Sequence, residues 1–195
     1  SPYARKVRIL ILEKRLQDRV DLLSIDSLAQ NWENIVLNPL GKIPALVLDD
    51  KSILFDSPVI CEYLDSLGDS SSMFTDDSVK RIKLLRAQAL GDGILDAAFS
   101  IVMERNRPAE QQSDYWLNRW EIVINRALKA MELELDNSND NLDIGKISFI
   151  SALGYLDFRL PNIQFRTEHP VLSKWWSEFS ERESVRLTSP ENHDN

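Results

Sequence analysis

Cysteine is nearly absent from this chain. Cys61 is the single one among 195 residues, so there is no intramolecular disulfide framework, and no cysteine or cysteine–histidine spacing supplies a zinc site. Histidine is almost as scarce. His169 and His193 are the two present, which argues against a histidine-based catalytic triad. Long apolar runs are missing too: none approaches the ~18–20 residues that span a bilayer, and no charged-then-apolar leader precedes the first helical segment. Positive charge is short, with 23 Lys and Arg against 31 Asp and Glu and a net charge of -8. Phosphate contacts need clustered cations, so nucleic acid is not an expected partner. What is present is an ordinary globular composition, 43% hydrophobic. The chain is expected to be soluble, unprocessed and cytoplasmic, with length enough for one domain or two small ones.

Tyr3, Val7, Leu10 and Ile11 recur at i, i+4, i+7 and i+8, which predicts a helix from Pro2 to Lys14 with Ser1 and Pro2 supplying its start. Val20 to Ile25 reads as a short strand. Ala45 to Leu48 and Ser52 to Phe55 read as a hairpin turning through Asp49, Asp50 and Lys51. Ser57 and Pro58 open a second helix carrying Ile60, Leu64 and Leu67, which Gly68 stops in the usual C-terminal glycine position. The polar stretch after Gly68 marks a linker over 69–74. Everything beyond it reads as helical: one helix from Thr75 to Arg105, and another from about Ala109 whose stripe is Leu117, Trp120, Ile124, Leu128, Met131 and Leu135. An apolar helix from Ile144 to Phe158 is expected at the centre of the bundle. Leu172, Trp175, Trp176 and Phe179 mark a short packing helix, and Thr188 to Asn195 reads as a loose tail. The pattern divides the chain into an α/β domain, 1–68, and an all-helical domain, 75–195.

Three segments carry a family resemblance. Ser-Pro-Tyr-Ala-Arg-Lys-Val at 1–7, Asn-Pro-Leu-Gly-Lys-Ile-Pro-Ala-Leu at 38–46 and Phe-Asp-Ser-Pro-Val-Ile-Cys-Glu-Tyr-Leu at 55–64 resemble, in order and spacing, the N-terminal domain of glutathione transferases. Ile-Ser-Phe-Ile-Ser-Ala-Leu-Gly-Tyr-Leu-Asp-Phe-Arg at 147–159, with His169-Pro170 and then Trp175 and Phe179, extends the likeness over nearly the whole chain, closest to the serine-type bacterial branch. The resemblance implies a thioredoxin-like N-terminal domain followed by an all-α bundle. In that family a strand precedes the Ser-Pro helix; this sequence begins at the serine, so a fragment, an unnumbered start or a truncation is expected. Lys146 stands where the family carries an acid in the cap of the central helix, leaving Asp143 to cap alone and placing positive charge at the wrong end of the dipole, at a cost of about 1 kcal/mol.

The chemistry starts from the thiol. A free thiol with a pKa near ~8.5 is mostly protonated at neutral pH, so a transferase must favour its anion. Ser1, at the positive end of a helix dipole, has a hydroxyl that can donate to sulfur; the residue alone fits a plain helix cap as well. The resemblance implies that Ser1 is catalytic, that Ile43-Pro44 is a cis bond whose Ile43 backbone pairs with the cysteinyl part of glutathione, and that Lys42 reaches the glycyl carboxylate. Asp56 and Ser57, at the next helix start, are implied for the γ-glutamyl ammonium and carboxylate. Tyr3, Asp92, Ile94 and Phe99 are candidates for the second-substrate site by position. Arg5 and Lys6 either add positive potential near glutathione or lie on an exposed helix face. Cys61 is expected to be buried and inert, and His169 to be a turn residue. The implied activity is glutathione transfer to a small hydrophobic electrophile, a detoxification chemistry, with glutathione as co-substrate, no metal and a homodimeric assembly. A non-catalytic binding or assembly module and a glutathione-dependent isomerase or dehalogenase stay open.

Overall fold

The computed structural model describes residues 1–24, 37–68, 71–136 and 141–190. Helix α1 (Pro2–Glu13) starts at Ser1, whose Oγ accepts the Ala4 N–H at 3.3 Å. It buries Val7, Ile9, Leu10 and Ile11 as the periodicity requires, and Arg5 and Lys6 with them. An exposed basic face is thereby excluded. Val20–Ser24 forms no strand, contrary to expectation, and Ile25 lies outside the described residues. A strand exists only by pairing its backbone. The one sheet among the described residues is elsewhere, and Leu22 and Leu23 stand 60% and 80% exposed.

That sheet is the expected hairpin, shorter than its apolar runs. β1 (Leu46–Val47) pairs antiparallel with β2 (Ile53–Leu54), with Leu46 opposite Leu54 and Val47 opposite Ile53. Lys51 takes a φ of 70° in the turn, and the Asp50 carboxylate accepts the Ser52 N–H at 2.8 Å. Helix α2 (Ser57–Leu67) follows. Gly68 ends it in extended conformation, φ -97°, not in the left-handed region expected of a C-terminal glycine. Its glycine serves a close approach instead: a Cβ there would fall 2.6 Å from Cε of Lys14.

The expected linker ends in core. Met73 and Phe74 are buried, and the segment is tied down by Asp65, which accepts the Met73 N–H at 2.9 Å and the Ser72 hydroxyl at 2.6 Å and pairs with Lys14 at 3.0 Å. Burial pushes the Asp65 carboxyl up, but the Met73 amide, Ser72 and Lys14 outweigh it and hold it below the ordinary range.

Helix α3 (Ser78–Arg105) begins three residues later than expected because Asp77 caps it, accepting the Val79 and Lys80 amides at 3.0 and 3.1 Å. Helix α4 (Asp114–Asp136) also begins late, after a single 3-10 turn at Ala109–Gln111. Glu104 of α3 accepts the Ser113 N–H at 2.7 Å and Gln112 bonds the Arg105 and Arg107 carbonyls, so the residues after Pro108 close the inter-helix turn. Helix α5 (Ile144–Arg159) is central, with nearly all of its first 13 residues buried. Asp143 caps it at 2.9 Å through the Lys146 amide. The expected penalty at Lys146 is offset, since its buried ammonium lies 3.7 Å from the Asp143 carboxylate and 2.5 Å from the Asn141 carbonyl.

The short helices α6 (Phe165–Glu168), α7 (Pro170–Phe179) and α8 (Glu183–Leu187) complete the bundle. α7 buries Leu172, Trp175, Trp176 and Phe179 as expected. His169 precedes it and meets Glu132 of α4 at 2.9 Å, while the same carboxylate accepts the Val171 N–H at 2.9 Å. Thr188 is not loose: it is buried, donating to the Ser184 carbonyl at 2.8 Å and accepting from Arg5 at 3.4 Å; residues 191–195 lie outside the described residues.

Three helices frame the site. α3 and α5 run parallel, since Ala87 touches Gly145, Gly91 touches Ser148 and Arg105 meets Asn162. The Gly91 contact is backbone-close: an added Cβ would lie 2.8 Å from Ser148 Cβ. α1 crosses both in the opposite sense. Tyr3 meets Asp96 and Lys6 meets Asp92, whereas Arg5 lies against Gly154.

Candidate active site

Ser1 sits where the start of α1 meets the turn that carries Ile43. Its exposed hydroxyl donates to the Ile43 carbonyl at 3.5 Å while standing at the N-terminus of α1. Ile43 is presented by a tight turn built on Asn38. The Asn38 carboxamide accepts the Leu40 N–H at 2.8 Å and donates to the Lys42 carbonyl at 2.9 Å, its own carbonyl accepts the Gly41 N–H at 2.8 Å, and Gly41 takes a φ of 63° that favours glycine. The Ile43–Pro44 bond is cis, as the resemblance implies. Lys42 is exposed at the rim.

The hairpin then delivers the chain to the mouth of α2. Asp56 occupies the cap position, yet its exposed carboxylate makes no capping hydrogen bond. Ser57 is buried directly behind it. Pro58 has no N–H, and the remaining first-turn amides have no helical acceptor, so the site offers donors and partial positive charge to an anion beside a carboxylate suited to a cation. Simple capping does not account for Asp56.

α1 also packs against α3 and α5. Tyr3, half-buried, donates its phenolic hydrogen to Asp96. Burial and then that bond push the Tyr3 phenol well above its ordinary range, so its proton is committed to Asp96. Asp92 does not line an open pocket: both of its oxygens lie 2.7 Å from the Lys6 ammonium, which is fully buried. Burial pushes the Asp92 carboxyl up against the pull of Lys6. Ile94 is core, and Phe99 is 39% exposed one turn beyond Asp96.

Arg5 is likewise buried. Its guanidinium donates to the Val185 carbonyl at 3.1 Å, its Nη1 makes no hydrogen bond, and burial lowers its pKa to about 10. It borders a cavity of about 190 Å³ with Gly154, Asp157 and Trp176, behind α1. Cys61 is fully buried and its thiol is pushed up to about 12 by burial, as expected of an inert cysteine.

Residue patterns missed three contributors. Asn38 builds the turn, Asp96 fixes Tyr3, and Arg159, at the end of α5, is a cation whose field reaches Ser1, as does that of Arg8. The spacing of Tyr155 and Arg159, one turn apart on one helix face, was the available signal for the last. Among the described residues no group of three or more His, Cys, Asp or Glu side chains converges as a metal site, and no helix is long and apolar enough to cross a membrane.

Residues 1–67 match the family model for the glutathione S-transferase N-terminal domain. The chain is 36% identical over 195 residues to the GST-like protein YibF of Escherichia coli (strain K12), covering 97% of this chain and 95% of that protein. It superposes with a TM-score of 0.89, at 40% identity and 97% and 95% coverage, on a glutathione transferase family member from Pseudomonas fluorescens Pf-5 solved with bound S-(propanoic acid)-glutathione. A glutathione S-transferase from Methylobacillus flagellatus KT, solved with glutathione, gives a TM-score of 0.91 at 34% identity and 97% and 95% coverage. An α/β thioredoxin-like N-terminal region leading into a helical bundle is the fold these proteins share. With that identity over nearly its full length, the chain belongs to the glutathione S-transferase family.

Proposed function

We propose that this protein is a glutathione transferase that binds glutathione between Ser1, the 38–44 turn and the mouth of α2, and activates its thiol for attack on a small hydrophobic electrophile. The observation that carries this reading is the position of the Ser1 hydroxyl, 3.5 Å from the Ile43 carbonyl at the positive end of α1. A thiolate there receives a hydroxyl hydrogen bond and the α1 dipole while the Ile43 backbone holds the adjoining peptide. Asp56, free of capping duty, takes the γ-glutamyl ammonium, the α2 amides with Ser57 take its carboxylate, and Lys42 takes the glycyl carboxylate. The two relatives solved with glutathione or its conjugate support this assignment. Tyr3 and Phe99 form the wall facing the electrophile, with Asp92 acting from behind through Lys6.

The reading divides the chain into a glutathione-binding domain, 1–68, a connector, 69–74, and a helical domain, 75–195. It places the protein in the cytoplasm, where thiols stay reduced, as a twofold homodimer, the commonest closed assembly. Light scattering behind size exclusion tests the last point; a monomer at micromolar concentration contradicts it. The activity itself is tested with a dinitrobenzene acceptor: the wild-type chain conjugates glutathione and Ser1→Ala does so at least tenfold more slowly. Equal rates would reduce Ser1 to a helix cap.

A further inference from the structure

The α1–α5 register sets one cation level with Ser1. Arg5 packs against Gly154, and the far end of α1 lies near the start of α5: Lys14 bonds the Ser71 carbonyl at 3.3 Å, and Met73, two residues on, accepts the Ile144 N–H at 3.1 Å. The two helices are therefore antiparallel. Both rise ~1.5 Å per residue, so Ser1, four residues before Arg5, lies level with Phe158 and Arg159, four and five beyond Gly154. The influence of Arg159 on both Ser1 and the half-buried Tyr155 agrees with that placement.

Asp92 and Asp96 of α3 and Asp157 of α5 are committed elsewhere. Asp92 is held by Lys6 at 2.7 Å, Asp96 accepts from Tyr3, and Asp157 is gripped by Arg166 at 2.5 and 2.6 Å. Arg159 is exposed, its guanidinium 4.3 Å from the centre of the Phe158 ring, and among the described residues no carboxylate pairs with it. In a chain of net charge -8, a guanidinium level with Ser1 and without a carboxylate partner among the described residues favours negative charge on whatever approaches.

We propose that Arg159 is a specificity-determining residue that holds a carboxylate of the electrophile, so that the preferred acceptors are small α,β-unsaturated carboxylates. The inference rests on the glutathione-transferase reading. In the reaction the glutathione thiolate adds to the β-carbon, a C–S bond forms, the C=C π pair moves to the α-carbon, and that carbon takes a proton from water. The product is an S-(carboxyalkyl)glutathione. Phe158 stacks against the guanidinium, and the carboxylate contact is read in KM.

The test compares acrylate with acrylamide as acceptors for glutathione, in wild type, Arg159→Met and Arg159→Lys. Acrylamide carries no charge and reports folding and thiol activation. The expected result is a tenfold or greater rise in KM for acrylate in Arg159→Met, partial recovery in Arg159→Lys, and a KM for acrylamide within twofold of wild type, any change in kcat being shared by the two acceptors. Titration with S-(2-carboxyethyl)glutathione and with S-propylglutathione should show the same loss for the first ligand alone. Equal effects on KM for both acceptors, or none on either, would overturn the proposal. A wild-type chain that turns over acrylamide without favouring acrylate overturns this inference and leaves the transferase reading intact, whereas a chain that conjugates neither acceptor nor dinitrobenzene defeats both.

Discussion

The Lys6 ammonium lies 2.7 Å from each carboxylate oxygen of Asp92, and no part of the lysine side chain reaches solvent. One turn away Tyr3 bonds Asp96, so α1 and α3 are joined by two rungs of a ladder directly beneath Ser1. The helix that Ser1 caps is thereby held rigidly against the bundle. Precision of that order matters, because a displacement of about 1 Å at a reacting group can cost ~100-fold in rate.

Removing one rung should be expensive. Lys6→Met leaves Asp92 buried without a partner, and breaking a buried ion pair costs ~3–5 kcal/mol. The double variant Lys6→Met/Asp92→Leu replaces both charges by apolar groups and should regain most of that loss. Urea denaturation of wild type and the two variants measures it; a double variant no more stable than Lys6→Met would contradict the ladder.

Gly91→Ala addresses the α3–α5 crossing. The new methyl would lie 2.8 Å from Ser148 Cβ and 2.9 Å from its carbonyl carbon, against a buried backbone that cannot step aside. Overpacking of this kind costs ~1–3 kcal/mol. A fall in Tm of about 5 °C is expected for a chain of this size, and an unchanged Tm would show that the helices separate freely.

Asp65 predicts a pH dependence. Its folded carboxyl is held below the ordinary value of 3.8, so the unfolded chain binds its proton first as pH falls. The stability it contributes is therefore fully present well above that value and is lost as pH drops through the depressed one. Asp65→Asn should be destabilised at pH 7, and its deficit relative to wild type should narrow below about pH 4. A deficit that stays constant with pH would show that packing, not charge, ties the connector to α2.

Asp56→Ala should abolish glutathione binding while leaving thermal stability nearly unchanged. Loss of a functioning cap costs ~1 kcal/mol, but the Asp56 carboxylate makes no capping bond. Calorimetry and thermal melting on the same sample separate the two effects. Lost stability with retained binding would return Asp56 to a structural role.

Apolar periodicity and turn chemistry were enough to place α1, the hairpin, α2 and the central helix, and the motif spacing brought Ser1 to Ile43. What periodicity could not carry was the burial of charge. A pattern rule puts Lys6, Arg5 and Lys146 in solvent, whereas Lys6 pairs across 86 residues of sequence and Arg5 reaches residues near 185. Val20 to Ser24 has strand-forming residues, but a strand is made by its neighbour. Arg159 reads as an ordinary cation at a helix C-terminus until the α1–α5 register sets it level with Ser1.

The most direct test of the central claim is a calorimetric titration of the chain with reduced glutathione. Saturable one-site binding in wild type, weakened beyond detection in Asp56→Ala, is the predicted result. A folded wild-type chain that takes up no glutathione would contradict the site assembled from Ser1, Ile43, Asp56 and Ser57.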